Sequence, residues 1–443
     1  MVKSVLVIIG ASSRRAAKYC ALACLCLLTA CQRTPAPAVT DPAAAPVAGQ
    51  AVTITALIWA PDWPAQMRQI AAEFTRLNPD VKVDLQFMSG NSVEENLRPR
   101  VAAHTLPDLV SVNPNPYAAE LADQGLLADV GASTAWQRLR PSLKADWMSP
   151  NGKRFGIAGG VAAPLIYYNK SMFRAAGIAL PPTDFSAFLD TCEQLKRAGF
   201  TPIHWSGGFP NLIGNGAFSV GFANNIVPRT PDWKARIADG TLALDNAAGA
   251  DIFAKIRTVA RRGYTQPDLM QPRRDQGIDD FVHGRTAMAF DGTWAAGGLL
   301  HPAGFEVGVF MPPWNARGAA IVPVIGSETG FAVGASAHQA QAMRLLDYLT
   351  GAGFAIEQKK RQNIAPFAPS SGEQEGDPQI LAYLAQAERS ALTGSPYYSM
   401  LPAASIDLLH LLIQDVLTDR RTPRQAARKL EASIRDEARS HNK

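Results

Sequence analysis

Large aromatic rings stand beside short polar side chains at a few places in this chain. Trp59 is followed by Asp62 and Trp63, Asn113 by Asn115, Trp205 by Ser206, and Asp291 by Trp294; Trp314 and Glu328 stand further on. Rings supply rigid apolar contact area, and a few converging amides, hydroxyls and carboxylates fix a ligand's orientation. That combination is the chemistry of small-ligand recognition in a cleft. Patterns for covalent chemistry do not accompany it: the sequence holds no Gly-x-Ser-x-Gly elbow, no His-Glu-x-x-His run, no phosphate loop and no zinc-type spacing. The seven histidines are scattered, and only His204 adjoins one of these groups. We expect no catalytic residue, no metal and no cofactor. A paired-carboxylate hydrolase stays open, because the spatial separation of Asp and Glu is not written in their spacing.

These residues need elements that aim them. The stretch 279–294 reads as a helix end closed by Gly284, a short apolar strand at 285–290, and a turn at Asp291-Gly292-Thr293 that presents Trp294. Period-2 patterning predicts strands at 52–59, 81–87, 106–112, 165–168, 202–205, 307–310 and 321–325. Helices are expected between them: from Pro64 with Met67, Ile70, Ala71, Phe74 and Leu77 as its stripe, from the Ser92-x-x-Glu95 capping box, and over 117–124, 185–198 and 247–262. Mainly helices follow, over 339–350, 378–391, 403–418 and 423–441. Strands alternating with helices imply mostly parallel sheets covered on both faces. The candidates cluster where loops leave strands, yet each has a plainer reading. Trp59 lies in strand register and also fits the core, Trp63 fits a hydrophobic staple, and Asp62 a helix cap. Asn113 beside Pro114 fits a turn, and Glu328 a surface ion pair. Asp108 is read as a structural cap.

Composition excludes some classes. The chain has 443 residues, 47% hydrophobic and 18% charged, an ordinary globular balance. Lys3, Arg14, Arg15 and Lys18 precede residue 31 with no acid among them, and without those four charges the formal net charge of +5 falls to +1. A nearly neutral body carries no global sign of nucleic-acid binding. The basic cluster precedes an uncharged run at 19–30, too short to span a bilayer but suited to a signal-peptide core. It ends Leu28-Thr29-Ala30-Cys31, which resembles the bacterial lipobox; by that resemblance Cys31 is lipidated and becomes the first mature residue. Residues 32–50 are Ala/Pro/Thr/Val-rich without an aromatic, a tether that reaches ~60 Å at polyproline rise. Four of the five cysteines lie in the leader. Cys192, on one face with Phe188 and Leu195, reads as a small core residue.

Several phrases in order resemble the family-1 extracellular solute-binding proteins of ABC importers, the maltose-binding type. They are Gly125-Leu126-Leu127, Asn151-Gly152-Lys153, Tyr167-Tyr168-Asn169-Lys170 with Phe173 and Gly177, and Pro181-Pro182-Thr183. Phe281, Gly284, Ala287-Met288 and Gly292-Thr293-Trp294 follow, then the helix from Pro423. The resemblance implies a two-lobe α/β fold of the periplasmic-binding (Venus-flytrap) type, each lobe a mostly parallel sheet flanked by helices. In this numbering it places a signal peptide at 1–30, a tether at 31–50, lobe one at 51–158 plus 330–367, and lobe two at 160–326 plus 369–443. Crossings fall near 156–162, 326–331 and 366–369. It implies a monomeric periplasmic lipoprotein, held to the membrane by its N-terminal lipid only, that captures a carbohydrate between the lobes and delivers it to ABC permease subunits. Trp59, Asp62, Trp63, Asn113, Asn115, Trp205, Ser206, Asp291, Trp294, Trp314 and Glu328 are then expected at the ligand. One departure stands out: where many sugar binders of this type place a polar residue, this chain has Ala162-Ala163-Pro164. A sensor of the same fold signalling to a membrane receptor, and a secreted glycoside hydrolase, are the competing readings.

Overall fold

The computed structural model describes residues 51–271, 274–367 and 376–441. The leader, the tether, Cys31 and part of the third expected crossing lie outside those residues. From Val52 the alternation builds β1 (Val52–Ile58), which pairs in parallel with β2 (Val81–Phe87) and with β3 (Leu109–Val112). Between β1 and β2, Met67, Ile70, Ala71 and Phe74 of the helix Pro64–Leu77 turn one buried stripe onto the sheet, while Leu77 is exposed. Ser92 caps the helix Val93–Ala102 by accepting from the Glu95 amide at 3.1 Å, and the Glu95 carboxylate accepts from the Asn91 amide at 2.6 Å. The capping box therefore forms, with its return bond one residue earlier than the usual pattern.

The chain then crosses to a second sheet and later returns. β4 (Val161–Ala162) and β9 (Gly326–Ser327) pair antiparallel where the two crossings meet, and Ile157 bridges Phe331 beside them. The second sheet has the order β6-β7-β5-β8, built from β5 (Pro164–Asn169), β6 (Thr201–His204), β7 (Thr286–Gly292) and β8 (Val307–Phe310). The first sheet is completed by β10 (Gly330–Val333), antiparallel to β3. Each sheet thus has three strands running one way and one running against them. In both cases the opposed strand is the one that directly follows a crossing: β5 after β4, and β10 after β9. The crossing delivers the chain from the far side, so this strand enters against the rest. In the second sheet it inserts between β7 and β8, which makes two of the three pairings antiparallel.

Helices cover these sheets on buried stripes. Phe188, Thr191, Cys192 and Leu195 face inward from the helix Phe185–Arg197, and burial pushes the Cys192 thiol well above its usual range. Ile252, Ile256 and Val259 do the same from the helix Ala247–Arg261. The helix Arg274–Val282 ends before Gly284, whose φ of +67° is the left-handed conformation glycine adopts without strain. The strand expected at 321–325 does not form. Pro323 has no N–H to give a ladder, and Val324 makes only an isolated bridge to Gly394.

Asp108 ties the first sheet together. Its Oδ2 accepts from the Thr55 amide at 2.7 Å and hydroxyl at 2.8 Å, and Oδ1 accepts from the Ser336 hydroxyl at 2.6 Å. Burial works against its charge, yet these bonds and nearby His338 hold the carboxyl below its usual value. Asp108→Ala leaves several donors unmet and is expected to lower stability by about 1–3 kcal/mol. A thermal or urea melt checks it; an unchanged midpoint would show that the three bonds contribute nothing net.

Candidate functional site

The loops that leave β1, β3 and β7 converge on one cleft, together with the first turn of the helix Val93–Ala102 and the second crossing. Its lining includes Trp59, Asp62, Trp63, Glu94, Asn113, Phe209, Asn211, Arg274, Trp294, Glu328, Thr329, Arg361, Tyr397 and Tyr398. Strand carboxyl ends are the usual ligand side of α/β sheets, because backbone and loops are free to diverge there. The enclosed volume is ≈ 80 Å³. A larger groove of ≈ 770 Å³ lies elsewhere, between the helix Pro116–Asp123 and the segment Trp233–Ala238. The smaller cleft is the stronger candidate on chemistry: it gathers three tryptophans and several buried charges.

Each tryptophan is set by local structure. Trp63 is the residue before the helix Pro64–Leu77 and makes no side-chain cap, and the Asp62 carboxylate beside it pairs with Arg274 rather than with the helix end. The Arg361 guanidinium lies 5.5 Å from the Trp63 ring centroid, a cation–π contact. Trp294 folds back over its own turn: a Cβ built on Gly292 would sit 2.3 Å from the indole, so only glycine leaves room. Thr293 pins that turn to the crossing. Its hydroxyl donates to the Val161 carbonyl at 2.7 Å and accepts from the Ala163 amide at 3.2 Å. At Ala162-Ala163-Pro164, then, the backbone rather than a polar side chain does the bonding.

Buried charges form two knots. Arg274 pairs with Asp62 and lies 3.4 Å from Asp291. Burial raises the Asp291 carboxyl above its usual range, opposed by Arg274 and by a hydrogen bond from Trp294. Arg361 donates to Glu328 at 2.6 Å and pairs with Glu357. Burial pushes Glu357 up to about 7 against the pull of Arg361, with Glu328 adding repulsion. One more buried carboxylate stands apart from both knots. Glu94, 1% exposed, accepts through Oε1 from Asn113 at 2.9 Å and Asn115 at 2.6 Å. Its Oε2 has no hydrogen-bond partner among the described residues. Several contacts among the described residues join the two walls. Asp407 accepts from Ser92 at 2.8 Å and pairs with Arg98; Asn211 donates to the Asn91 carbonyl at 3.2 Å; Arg274 meets Asp62.

Six of the expected residues line the cleft: Trp59, Asp62, Trp63, Asn113, Trp294 and Glu328. Asn113 is a relay rather than a mere turn residue, since its Oδ1 accepts from Thr329 at 2.6 Å. The other five do not line it. Trp205, Ser206 and Asp291 border an adjoining cavity of ≈ 20 Å³, room for about one water. Asn115 is spent on structure, capping the helix Pro116–Asp123 and donating to the Tyr398 carbonyl at 3.0 Å. Trp314 is fully buried among Phe185, Phe188 and Phe290, with centroids 5.1–5.3 Å away. Beside the small cavity, His204 stands 3.0 Å from Asp280 and 3.2 Å from Ser206. That row has the order of an acid–base–nucleophile set, but Ser206 is 1% exposed, and no acyl group fits a one-water space. Glu94, Arg274, Arg361, Tyr397 and Tyr398 were missed. Only Glu94 carried a local signal, its place in the first turn after the capping box.

Comparison with known proteins agrees with this geometry. Residues 60–356 match the family model "Bacterial extracellular solute-binding protein". The melibiose/raffinose/stachyose-binding protein MelE of Bacillus subtilis is 29% identical over 148 residues, about a third of each chain (32%). A multiple sugar-binding protein of Streptococcus mutans is 22% identical over 65% of this chain and 68% of its own. The sn-glycerol-3-phosphate-binding periplasmic protein UgpB of Salmonella typhimurium is 21% identical over 73% and 77%. Among solved structures, a chitin oligosaccharide binding protein superposes with a TM-score of 0.77 at 19% identity, covering 88% of this chain and all (100%) of that one. The protein RafE in complex with raffinose gives 0.73 at 21%, covering 87% and 99%. At these identities the structures establish the two-lobe fold.

A histidine behind the cleft is expected to make the protein acid-sensitive. The Tyr397 hydroxyl accepts from Asn211 at 3.0 Å and lies 2.7 Å from His410 Nε2, so its own proton is free to go to a neutral imidazole. Burial pushes His410 down to about 4. The unfolded imidazole titrates near 6.5, so this contribution is complete above pH 6.5 and is lost as pH falls towards 4. The loss is on the order of 3 kcal/mol. Thermal melts between pH 7 and 4.5 are expected to fall more steeply for the wild type than for His410→Gln; parallel curves would refute the assignment.

Proposed function

The chain belongs to the bacterial extracellular solute-binding proteins, and on that premise we propose that it captures a carbohydrate between its two lobes and delivers it to an ABC permease. The observation that carries this reading is the meeting of Trp59 and Trp63 from one sheet with Trp294 from the other, around buried polar groups. Indole faces pack on the C–H face of a pyranose while amides and carboxylates bond its hydroxyls. We assign the platform role to Trp59, Trp63 and Trp294, and hydroxyl bonding to Asp62, Asn113 and Glu328. The lobes are taken as 51–158 with 330–367 and 160–326 with the remainder from 369, closing by hinge bending at the crossings. Binding favours the closed form only by its differential affinity for that form. Relatives whose names record melibiose, raffinose, stachyose and chitin oligosaccharides support an oligosaccharide.

The same proposal covers export and anchoring. The lipobox-like Leu28-Thr29-Ala30-Cys31 supports a lipid on Cys31, and the Ala/Pro tether a monomeric domain held off a periplasmic membrane surface. Among the described residues no helix is long and apolar enough to cross a membrane, so the anchor falls to the N-terminus.

Calorimetry and intrinsic tryptophan fluorescence against melibiose, raffinose, stachyose and chitin oligosaccharides test the reading. At least one is expected to bind with saturation, and a flat response to all of them ends the carbohydrate assignment. Trp294→Ala is expected to weaken that binding more than tenfold, about 1.4 kcal/mol. An unchanged affinity would return Trp294 to a packing role.

A further inference from the structure

We infer that the cleft is built to exclude anions and that Glu94 reads a hydrogen-bond donor on the solute, so that the ligand is a neutral or aminated saccharide and not a sugar phosphate or sugar acid. This rests on the cleft being the solute site. Two observations carry it independently.

The first is the carboxylate itself. Glu94 sits in the first turn of the helix Val93–Ala102, where the helix N-terminus favours negative charge. One of its oxygens is saturated by the Asn113 and Asn115 amides. The other is enclosed and has no partner among the described residues, and Glu94 is one of the residues that line the cleft. A buried acceptor left without a donor is costly, and the cost is relieved by whatever brings a donor to it. A sugar hydroxyl or an ammonium does so; a phosphate or carboxylate oxygen placed there brings a second negative charge instead. Around Glu94, Arg98 one turn on pairs with Asp407 through one nitrogen, keeps a second buried nitrogen without a partner among the described residues and lends Glu94 part of its positive field, while Tyr397, Tyr398 and Tyr117 are neutral rings. Burial raises the Glu94 carboxyl above its usual range, opposed by the Asn113 and Asn115 amides and by Arg98.

The second is the charge balance of the lining. Each of the two guanidinium groups that line the cleft is flanked by two carboxylates: Arg274 by Asp62 and Asp291, and Arg361 by Glu328 and Glu357. Only the Nε of each guanidinium is without a partner among the described residues, and a phosphate that took a carboxylate's place on either arginine would leave that carboxylate buried and unpaired, the costly outcome for a buried ion pair. The three indoles accept an uncharged sugar face or a cation equally well.

The test compares raffinose, chitosan disaccharide and sn-glycerol 3-phosphate by calorimetry on the wild type and on Glu94→Gln. The variant keeps an oxygen for the two asparagines and loses the charge. The wild type is expected to bind one of the saccharides at least 100-fold more tightly than the phosphate. Glu94→Gln is expected to weaken the saccharide at least tenfold and to narrow the ratio by a similar factor. Phosphate binding as tight as the best saccharide overturns the inference while leaving a solute-binding role intact. So does a ratio that Glu94→Gln leaves unchanged in a variant whose circular dichroism matches the wild type. Should no saccharide and no phosphate bind, the carbohydrate reading itself fails and takes this inference with it. The wild-type ratio needs no variant, so a misfolded Glu94→Gln does not spare the claim.

Discussion

A charge taken out of water needs a partner, and at the cleft this constraint governs almost every polar side chain. Arg361 is held by Glu328, which comes from the second crossing, and by Glu357, one turn back on its own helix, Phe354–Arg361. Asn363 adds a donor to the same Glu328 at 3.3 Å. Removing any member would strand another, so the crossing, the helix and the cleft wall are held as one unit. The Arg274 knot does the same between the two walls. These groups stand next to Trp63 and Trp294, and so the rings inherit their positions from the ion pairs.

The crossings impose the second constraint. β4 and β9 contribute only two residues each, yet they set which strand runs against its sheet on both sides. Thr293 hangs the exit of β7 from β4, and Gly292 clears space for the ring that follows. The Gly292-Thr293-Trp294 phrase therefore has a reason at each position: no side chain, a hydroxyl with two backbone partners, and a ring on the cleft lining.

Much of this was legible before any coordinates. Period-2 runs located most strands, the Ser92 cap and the Gly284 stop located helix ends, and the family phrases pointed to the fold. These are local signals, spread over a few residues. The errors are long-range. Trp205 and Trp314 sit near strand exits, where a loop ring looks available, but distant phenylalanines and Gln266 enclose them. Asn115 and Asn113 look alike in sequence; one is consumed by a helix cap and a carbonyl 283 residues away, the other faces the cleft. Glu94 and Arg274 gain meaning only from partners that the fold brings in. The strand expected at 321–325 failed for a local reason, the missing N–H of Pro323, that apolar patterning does not register.

The contacts that reach across the cleft also have a kinetic side. While Asp407 holds Ser92 and Arg98, and Arg274 holds Asp62, the ≈ 80 Å³ inside is far smaller than the roughly 300 Å³ at which ligand pockets begin. A solute then enters only during openings, and its association rate is bounded by how often those bonds part rather than by diffusion. Ions of the medium screen the partly exposed pair Arg98–Asp407 most. Raising ionic strength would therefore hasten uptake of an uncharged solute, the reverse of the usual effect of salt on a steered encounter.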